Sequence, residues 1–333
     1  MKLEQMPRYP LLCGFTPLQR MENLEQALGC GPLYIKRDDL TPLGLGGNKT
    51  RKLEFLLGDA LAGGADTLVT VGGVQTNHGR LTAAAAAKAG LACTLVLDGA
   101  RPEKLSGNLL LDCLLGASLV YTDGRSTSAV IEETLAALQA AGRAPYFIPE
   151  GGSNAVGSAG YLAMVPELLA QAGSLPVPPA RLVCTMGSLG TFAGLWLGAR
   201  AFGAPFSVTG VAVNPTTGYT REKAAALVNE MSAAYGLDIA AAPEDMDIIY
   251  ADAAHDYAGP GYNVPDAKTR GAVELLARTE GIFLDPCYTA KSFRGFCDIA
   301  RELDGGAIFV HTGGTPALWT QEHLDAFAAD YWN

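Results

Sequence analysis

Short runs of β-branched and aliphatic residues, such as TLVTV and TLVL, alternate along this chain with alanine- and leucine-rich stretches whose apolar positions recur every three to four residues. Bounded runs of the first kind predict buried strands, and the longer period predicts amphipathic helices. In the first half, strands are expected at 66–71, 92–97, 118–121 and 146–149, with helices at 51–61, 80–89, 105–115 and 129–141. The rhythm resumes with strands at 181–185, 207–213, 247–250 and 307–311 and helices at 191–201, 221–235, 266–278 and 289–303. Such alternation predicts an α/β protein with mostly parallel sheets covered by helices, its ligands gathered where strands end. No stretch repeats at a fixed period and no linker is of low complexity, so the two halves are expected to touch directly.

Composition narrows the class. At 333 residues the chain is long enough for about two domains. Hydrophobic residues make up 49% and charged ones 17%, which supplies ample core and excludes a disordered chain. Apolar stretches such as 81–97 are broken by Lys88 and by glycine, short of the roughly 20 residues a membrane span needs. The start, MKLEQMPRYPLL, has no secretory apolar region, so a cytoplasmic protein with no membrane partner is expected. Seven cysteines lie scattered without a CxxC pair, which predicts that most are buried, reduced thiols and suggests neither a disulfide framework nor a zinc site. A net charge of -10 and the lack of a basic stripe argue against nucleic acid and leave a small molecule as the partner.

Within this acidic chain, LGLGGNKTRKLEFL sets Gly44, Gly46 and Gly47 directly before Lys49, Arg51 and Lys52, where a helical pattern begins. Two more glycine-bearing turns, TVGGVQTNH at 70–78 and CTMGSLGT at 184–191, each join a predicted strand to a predicted helix. Such a turn exposes backbone N–H groups at a positive helix end, a seat for phosphate or carboxylate. Two of them imply two anionic groups. For either turn alone, glycine that merely permits a tight connection is an equally good account. Neither GxxxxGK[ST] nor GxGxxG is present, which counts against nucleoside triphosphates and dinucleotides.

Lys49 is either a solvated surface lysine or an amine made nucleophilic, by burial and neighbouring cations, for condensation with a carbonyl cofactor. Arg51 and Lys52 would supply those cations. In a solvated first helical turn they would oppose the helix dipole by roughly 0.3–1 kcal/mol, so a nearby anion is expected.

Taken together and in order, GGNKTRKLEFL, GGVQTNHGR, IPEGGSNAVGSAGY, MGSLGTFAGL, LDPCYTAK and HTGGTPAL closely resemble the D-cysteine desulfhydrase and 1-aminocyclopropane-1-carboxylate deaminase family. Those are pyridoxal-phosphate enzymes of the tryptophan-synthase β fold, and the resemblance runs from about Pro7 to Leu318. It implies a two-domain α/β fold of that type: a large cofactor-binding domain of residues 1–50 and 161–333, a small α/β domain of 51–160, and the active site between them. The boundary near 151–160 rests on Gly-Gly-Ser-Asn as a hinge signal. A homodimer is implied by analogy with the family alone.

The resemblance also implies roles. Lys49 matches the lysine joined to pyridoxal 5'-phosphate, and Asn77 the asparagine that hydrogen-bonds its phenolic oxygen. Gly187, Ser188, Leu189, Gly190 and Thr191 match the phosphate cup, with Lys52 reaching toward the same phosphate. Gln75, Thr76, Asn77 and His78 form the turn for the substrate carboxylate, Tyr288 matches a tyrosine at the reacting face, and Tyr262 lies on a turn near the site. Lys49, Tyr288 and Thr76 are the expected catalytic residues. His311, ending an apolar strand, is expected to be structural.

Three positions depart from the family's pattern. Thr289 stands where ring-opening members carry a carboxylate able to keep the pyridine nitrogen protonated, so the electron sink is expected to be weaker. That ranks α,β-elimination, most of all a D-cysteine desulfhydrase activity, above 1-aminocyclopropane-1-carboxylate deamination, with L-cysteate sulfo-lyase as another alternative. Thr76 replaces a usual serine and is expected to set a methyl beside the substrate carboxylate. Leu189 replaces a small residue and is expected to add bulk at the phosphate cup. A catalytically silent pyridoxal-phosphate binder and a metabolite-binding module without a lysine linkage stay open as alternatives.

Overall fold

A computed structural model describes residues 3–214 and 218–332. The large sheet contains β1 (Leu18–Arg20), β2 (Leu33–Arg37), β7 (Pro179–Met186), β8 (Ser207–Ala212), β9 (Ile248–Ile249) and β10 (Gly306–His311). Its order is β1-β2-β10-β7-β8-β9, with only β1 antiparallel to its neighbour. The small sheet, all parallel, has the order β5-β4-β3-β6, from β3 (Thr67–Gly73), β4 (Ala92–Asp98), β5 (Ser118–Tyr121) and β6 (Pro145–Ile148).

Alternation along the strands of the large sheet sorts side chains into two cores. Tyr34, Leu182, Cys184, Met186, Ile308 and Val310 join α6 (Ala155–Leu162), α7 (Met164–Ala172), α8 (Gly190–Ala201) and α9 (Arg221–Tyr235). Leu33, Ile35, Val183 and Phe309 point the other way, to α1 (Glu22–Leu28), α10 (Ala267–Glu280) and α11 (Thr289–Glu302). Leu68, Leu95 and Leu97 of the small sheet pack on α2 (Lys49–Ala62), α3 (Asn77–Ala89) and α4 (Gly107–Leu114). Val130 of α5 (Thr127–Ala140) is buried too, and α12 (Gln321–Trp332) ends the described chain.

The strands and helices predicted by periodicity are present, with shifted ends, and more elements join them. β2 reads as a broken pattern because Lys36 sits in a buried position, its Nζ held by Glu167 at 2.5 Å and the Thr16 carbonyl at 2.6 Å. The expected domain boundaries at 50/51 and 160/161 each fall inside a helix, α2 and α6. In the GSAGY stretch of α6, a Cβ at Gly160 would lie 2.3 Å from the Arg51 carbonyl oxygen, so glycine there lets α6 press against α2. None of the helices is long and apolar enough to cross a membrane, among the described residues.

Candidate active site

The carboxyl ends of β3, β6, β7 and β10 and the start of α2 enclose one pocket, the arrangement in which parallel sheets place ligands. Lys49, Thr76, Asn77, His78, Gly187, Ser188, Thr191 and Tyr288 line it, beside Asn48, Glu150, Thr185 and Thr312. Six of the expected residues do not: Gln75, Lys52, Leu189, Gly190, Tyr262 and Thr289.

Lys49 opens α2 because the preceding turn is folded tightly on itself. Gly46 has φ +75°, and a Cβ there would stand 1.9 Å from the Asp39 carbonyl oxygen, so only glycine fits. Arg80, fully buried on α3, donates to the carbonyls of Gly44 and, at 3.1 Å, of Gly46. Asn48 N–H donates to the Thr312 carbonyl at 3.0 Å, tying the turn to the end of β10. Burial pushes the Lys49 amine down to about 8, while the Glu150 carboxylate works the other way. Glu150 is itself held by the Tyr219 hydroxyl, which donates to it at 2.6 Å.

The three cations of this segment part company. Lys52 is fully buried, its Nζ donating to the Gly151 carbonyl at 3.0 Å and to Ser153 Oγ at 3.4 Å, both neutral. Burial, then the neighbouring Lys49 charge, hold its amine well below the ordinary lysine value. Arg51, expected to add positive charge at the pocket, turns away from it. Its guanidinium meets Asp38 at 2.8 Å and Glu167 at 2.8 Å, Asp38 also accepts from the Tyr161 hydroxyl at 2.6 Å, and Lys36 completes a neutral buried set.

The start of α8 forms an anion seat. Leu189 gives it no side-chain cap, and the Gly190 N–H donates to Ser153 Oγ at 3.1 Å. Ser153 donates to Ser188 Oγ at 2.9 Å and Asn48 Nδ2 donates to Thr191 Oγ1 at 3.0 Å. Both pocket hydroxyls are therefore occupied as acceptors and keep their protons for a ligand. A Cβ at Gly190 would lie 2.7 Å from Lys52 Nζ, so the buried amine stands directly beneath this helix end, where an anion would favour its protonated form. The seat thus combines a helix dipole, two hydroxyl donors and a cation without a carboxylate partner among the described residues. Leu189 adds no bulk to it; the side chain is buried in the large core.

Thr76 caps α3, accepting from the Gly79 N–H at 3.3 Å. Its methyl occupies the space over Gly79, where a Cβ would come within 2.5 Å, and so packs against α3. Gln75 leaves the pocket for α4: its Oε1 accepts from the Asn108 N–H at 2.8 Å and its Nε2 donates to the Ser106 carbonyl at 3.2 Å. His78 Nε2 lies 2.8 Å from Thr70 Oγ1, which itself donates to the Ile148 carbonyl, so the ring nitrogen is the donor. Burial, then the Lys49 and Lys52 charges, keep His78 neutral, its value well below the ordinary one. His311 is structural: Nδ1 accepts from Gly313 N–H and Nε2 donates to the Phe283 carbonyl.

Tyr288 reaches the pocket across Gly187, where a Cβ would lie 2.8 Å from its ring. Burial raises its phenol, which stays protonated. Tyr262 stands behind it, ring centroids 5.9 Å apart and nearly perpendicular. Thr289 does not face the pocket. It accepts from the Asp285 N–H at 2.8 Å and donates to Asp285 Oδ1 at 2.6 Å. Asp285 also accepts the N–H groups of Cys287, Tyr288 and Thr289, capping the first turn of α11 and fixing Thr289 toward the cap.

Residues 10–313 match the family model described as pyridoxal-phosphate dependent enzyme. The chain belongs to this family. A D-cysteine desulfhydrase of Yersinia enterocolitica is 41% identical over 328 residues, 96% of this chain and 97% of that one. A putative 1-aminocyclopropane-1-carboxylate deaminase of Pyrococcus abyssi is 39% identical over 322 residues, covering 95% and 94%. Among solved structures, an ACC deaminase homologue superposes with a TM-score of 0.87 at 36% identity, over 98% of this chain and 97% of that one. An L-serine ammonia-lyase from Rhizomucor miehei, 19% identical with a TM-score of 0.66 over 98% and 100%, shares the fold. The chain is accordingly a pyridoxal-phosphate-dependent lyase with the tryptophan-synthase β-type fold, within the desulfhydrase and deaminase branch.

Sequence reasoning passed over Asn108, Arg80, Ser153 and Glu150. Each acts on the site from an element whose pairing with it only the tertiary structure reveals; Asn108 alone had a local signal, the Ser-Gly-Asn start of a helix.

Proposed function

We propose that this enzyme eliminates the β-substituent of an amino acid to give pyruvate and ammonia, acting foremost on D-cysteine with release of sulfide. One observation carries the choice over ring opening: Glu150 is the only carboxylate among the described pocket-lining residues, and it sits at the Lys49 end, bound to Tyr219. The rest of the wall, including Thr185 and Thr312, is neutral, so nothing there holds a pyridine nitrogen protonated. The neutrality first attributed to Thr289 thus belongs to the pocket wall. Bound here, pyridoxal phosphate supplies an electron sink for the substrate's Cα. A weaker sink suits a reaction in which a good leaving group departs from Cβ.

In this reading Lys49 holds the cofactor, and its amine, low in pKa, takes the Cα proton. Ser188, Thr191 and the α8 amides hold the phosphate, and Lys52 neutralises it from beneath. Asn77 donates to the phenolic oxygen, Thr76 and His78 border the substrate, and Tyr288 gives a proton to the departing sulfur. For cysteine the balance is amino acid plus water to sulfide, pyruvate and ammonia. The cleft between the two sheets is the active site of a cytoplasmic homodimer, by analogy with the family. A screen of β-substituted D- and L-alanines for pyruvate, run beside 1-aminocyclopropane-1-carboxylate for 2-oxobutanoate, tests the proposal. Faster 2-oxobutanoate formation than pyruvate from any alanine would overturn it.

A further inference from the structure

We infer that Asn108 is a positioning residue: it sets the orientation of the Asn77 amide so that the pocket receives an N–H donor and never a carbonyl oxygen. This rests on the role given to Asn77 above.

The orientation follows from a chain of obligatory donors and acceptors. The Gln75 backbone carbonyl can only accept, so the Asn108 side-chain atom 2.8 Å from it must be Nδ2. That same Nδ2 lies 2.9 Å from the Asn77 side chain, and the atom facing it must therefore be Oδ1. Asn77 Nδ2, with both protons, is left on the other side. There a Cβ at Gly314 would come within 2.9 Å of it and 2.7 Å of Asp285 Oδ1, beside the pocket-lining Gly313, so the Asp285 carboxylate also favours the amino group on that side. An amide flip is ordinarily a free choice; here a backbone carbonyl two residues before Asn77 decides it.

The surroundings leave Asn108 no freedom of its own. It is fully buried, and its N–H is held by Gln75 Oε1 at 2.8 Å. Gly107, at φ +56°, brings α4 so near that a Cβ would lie 2.6 Å from the same Oε1. Gln75 is thus the splint that joins α4 to the 75–77 turn, which accounts for its absence from the pocket. A donor fixed in advance favours an ionised phenolic oxygen, without reorganisation when the cofactor enters.

The test is a double-variant cycle on pyridoxal-phosphate affinity, read by equilibrium dialysis of cofactor-free protein, with circular dichroism to verify folding. Asn108→Asp is isosteric but only accepts. It should turn Asn77 Nδ2 toward α4, present Oδ1 to the pocket, weaken cofactor binding about tenfold or more, and shift the bound cofactor's absorption to shorter wavelength. Asn77→Ala should weaken binding comparably, and adding Asn108→Asp to it should cause no further loss. Losses that multiply in the double variant would mean that Asn108 acts through general packing, which overturns the inference. Asn77→Ala with unchanged affinity would instead remove the role given to Asn77, and the inference with it. If Asn108→Asp does not fold, Asn108→Ala enters the same cycle with the same criterion of non-additivity.

Discussion

Replacing Lys49 by methionine should stabilise the cofactor-free protein while abolishing turnover. Burial pushes this amine from the ordinary lysine value of 10.5 down to about 8, a difference corresponding to about 3 kcal/mol. Below pH 8 the lysine is charged in both folded and unfolded chains, and the folded form bears the whole penalty. Between pH 8 and about 10.5 the unfolded chain binds more protons than the folded one, so stability rises with pH until both are neutral. Methionine keeps the apolar stem and removes the charge. It should therefore gain up to about 3 kcal/mol near pH 7, and the gain should fade as the pH approaches 10.5. Loss of the Lys49 charge also relieves Lys52, which adds to the gain at low pH. At about 2 °C per kcal/mol for a chain of this size, the melting temperature should rise by about 5 °C at pH 7. Scanning calorimetry of both cofactor-free proteins from pH 7 to 10.5 measures the difference, from which the titrating groups that Lys49 does not influence cancel. Parallel curves with no convergence would refute the reasoning, since a lysine unperturbed by the fold has no penalty to release.

The anion seat predicts unequal effects: Lys52→Ala should lower cofactor retention about tenfold or more, and Thr191→Val less, because a charge-assisted bond contributes roughly 1.5–3 kcal/mol and a neutral one about 1. Equal, unchanged retention in both would place the phosphate elsewhere. Tyr288→Phe should keep the cofactor and slow pyruvate formation by about 10²–10⁴-fold, the usual effect of removing a positioned acid or base; turnover at the wild-type rate would take the tyrosine out of the chemistry.

Most of the α/β frame was legible because strand and helix periods are local, and β3, β7, α3 and α8 lie where the pattern puts them to within a few residues. Elements whose pattern is broken by function or by buried charge were not. β2 hides because Lys36 and Glu167 neutralise each other in the core, and α6 because its glycines, which suggest a loop, are there for close packing on α2. The site was legible as a set of residue types but not as a set of directions. Leu189 and Thr289 have sequence neighbours that line the pocket, yet the core takes the first and a cap the second, while Thr76 stays at the pocket with its hydroxyl capping α3 and its methyl turned over Gly79.

The directions of Lys52 and Arg51 could have been read from spacing alone. On a helix, residues three apart share a face, whereas residues two apart lie about 200° from each other. With Lys49 at the first helical position, Lys52 must follow it on the same side and Arg51 must point away. The order K-T-R-K therefore places two ammonium groups together and sends the guanidinium into the protein. There it needs carboxylates, because a buried charge without partners costs several kcal/mol. Asp38 and Glu167 are those carboxylates, while among the described residues Lys52 donates to the Gly151 carbonyl and Ser153 alone. The helix thus separates a self-neutralised structural cation from one left for a ligand to neutralise, and the second is the one beneath the α8 end. On the proposed reading, that asymmetry favours an anion carrying more than one charge: a carboxylate would satisfy the helix end, and a phosphate would also bring the second charge that the buried Lys52 lacks.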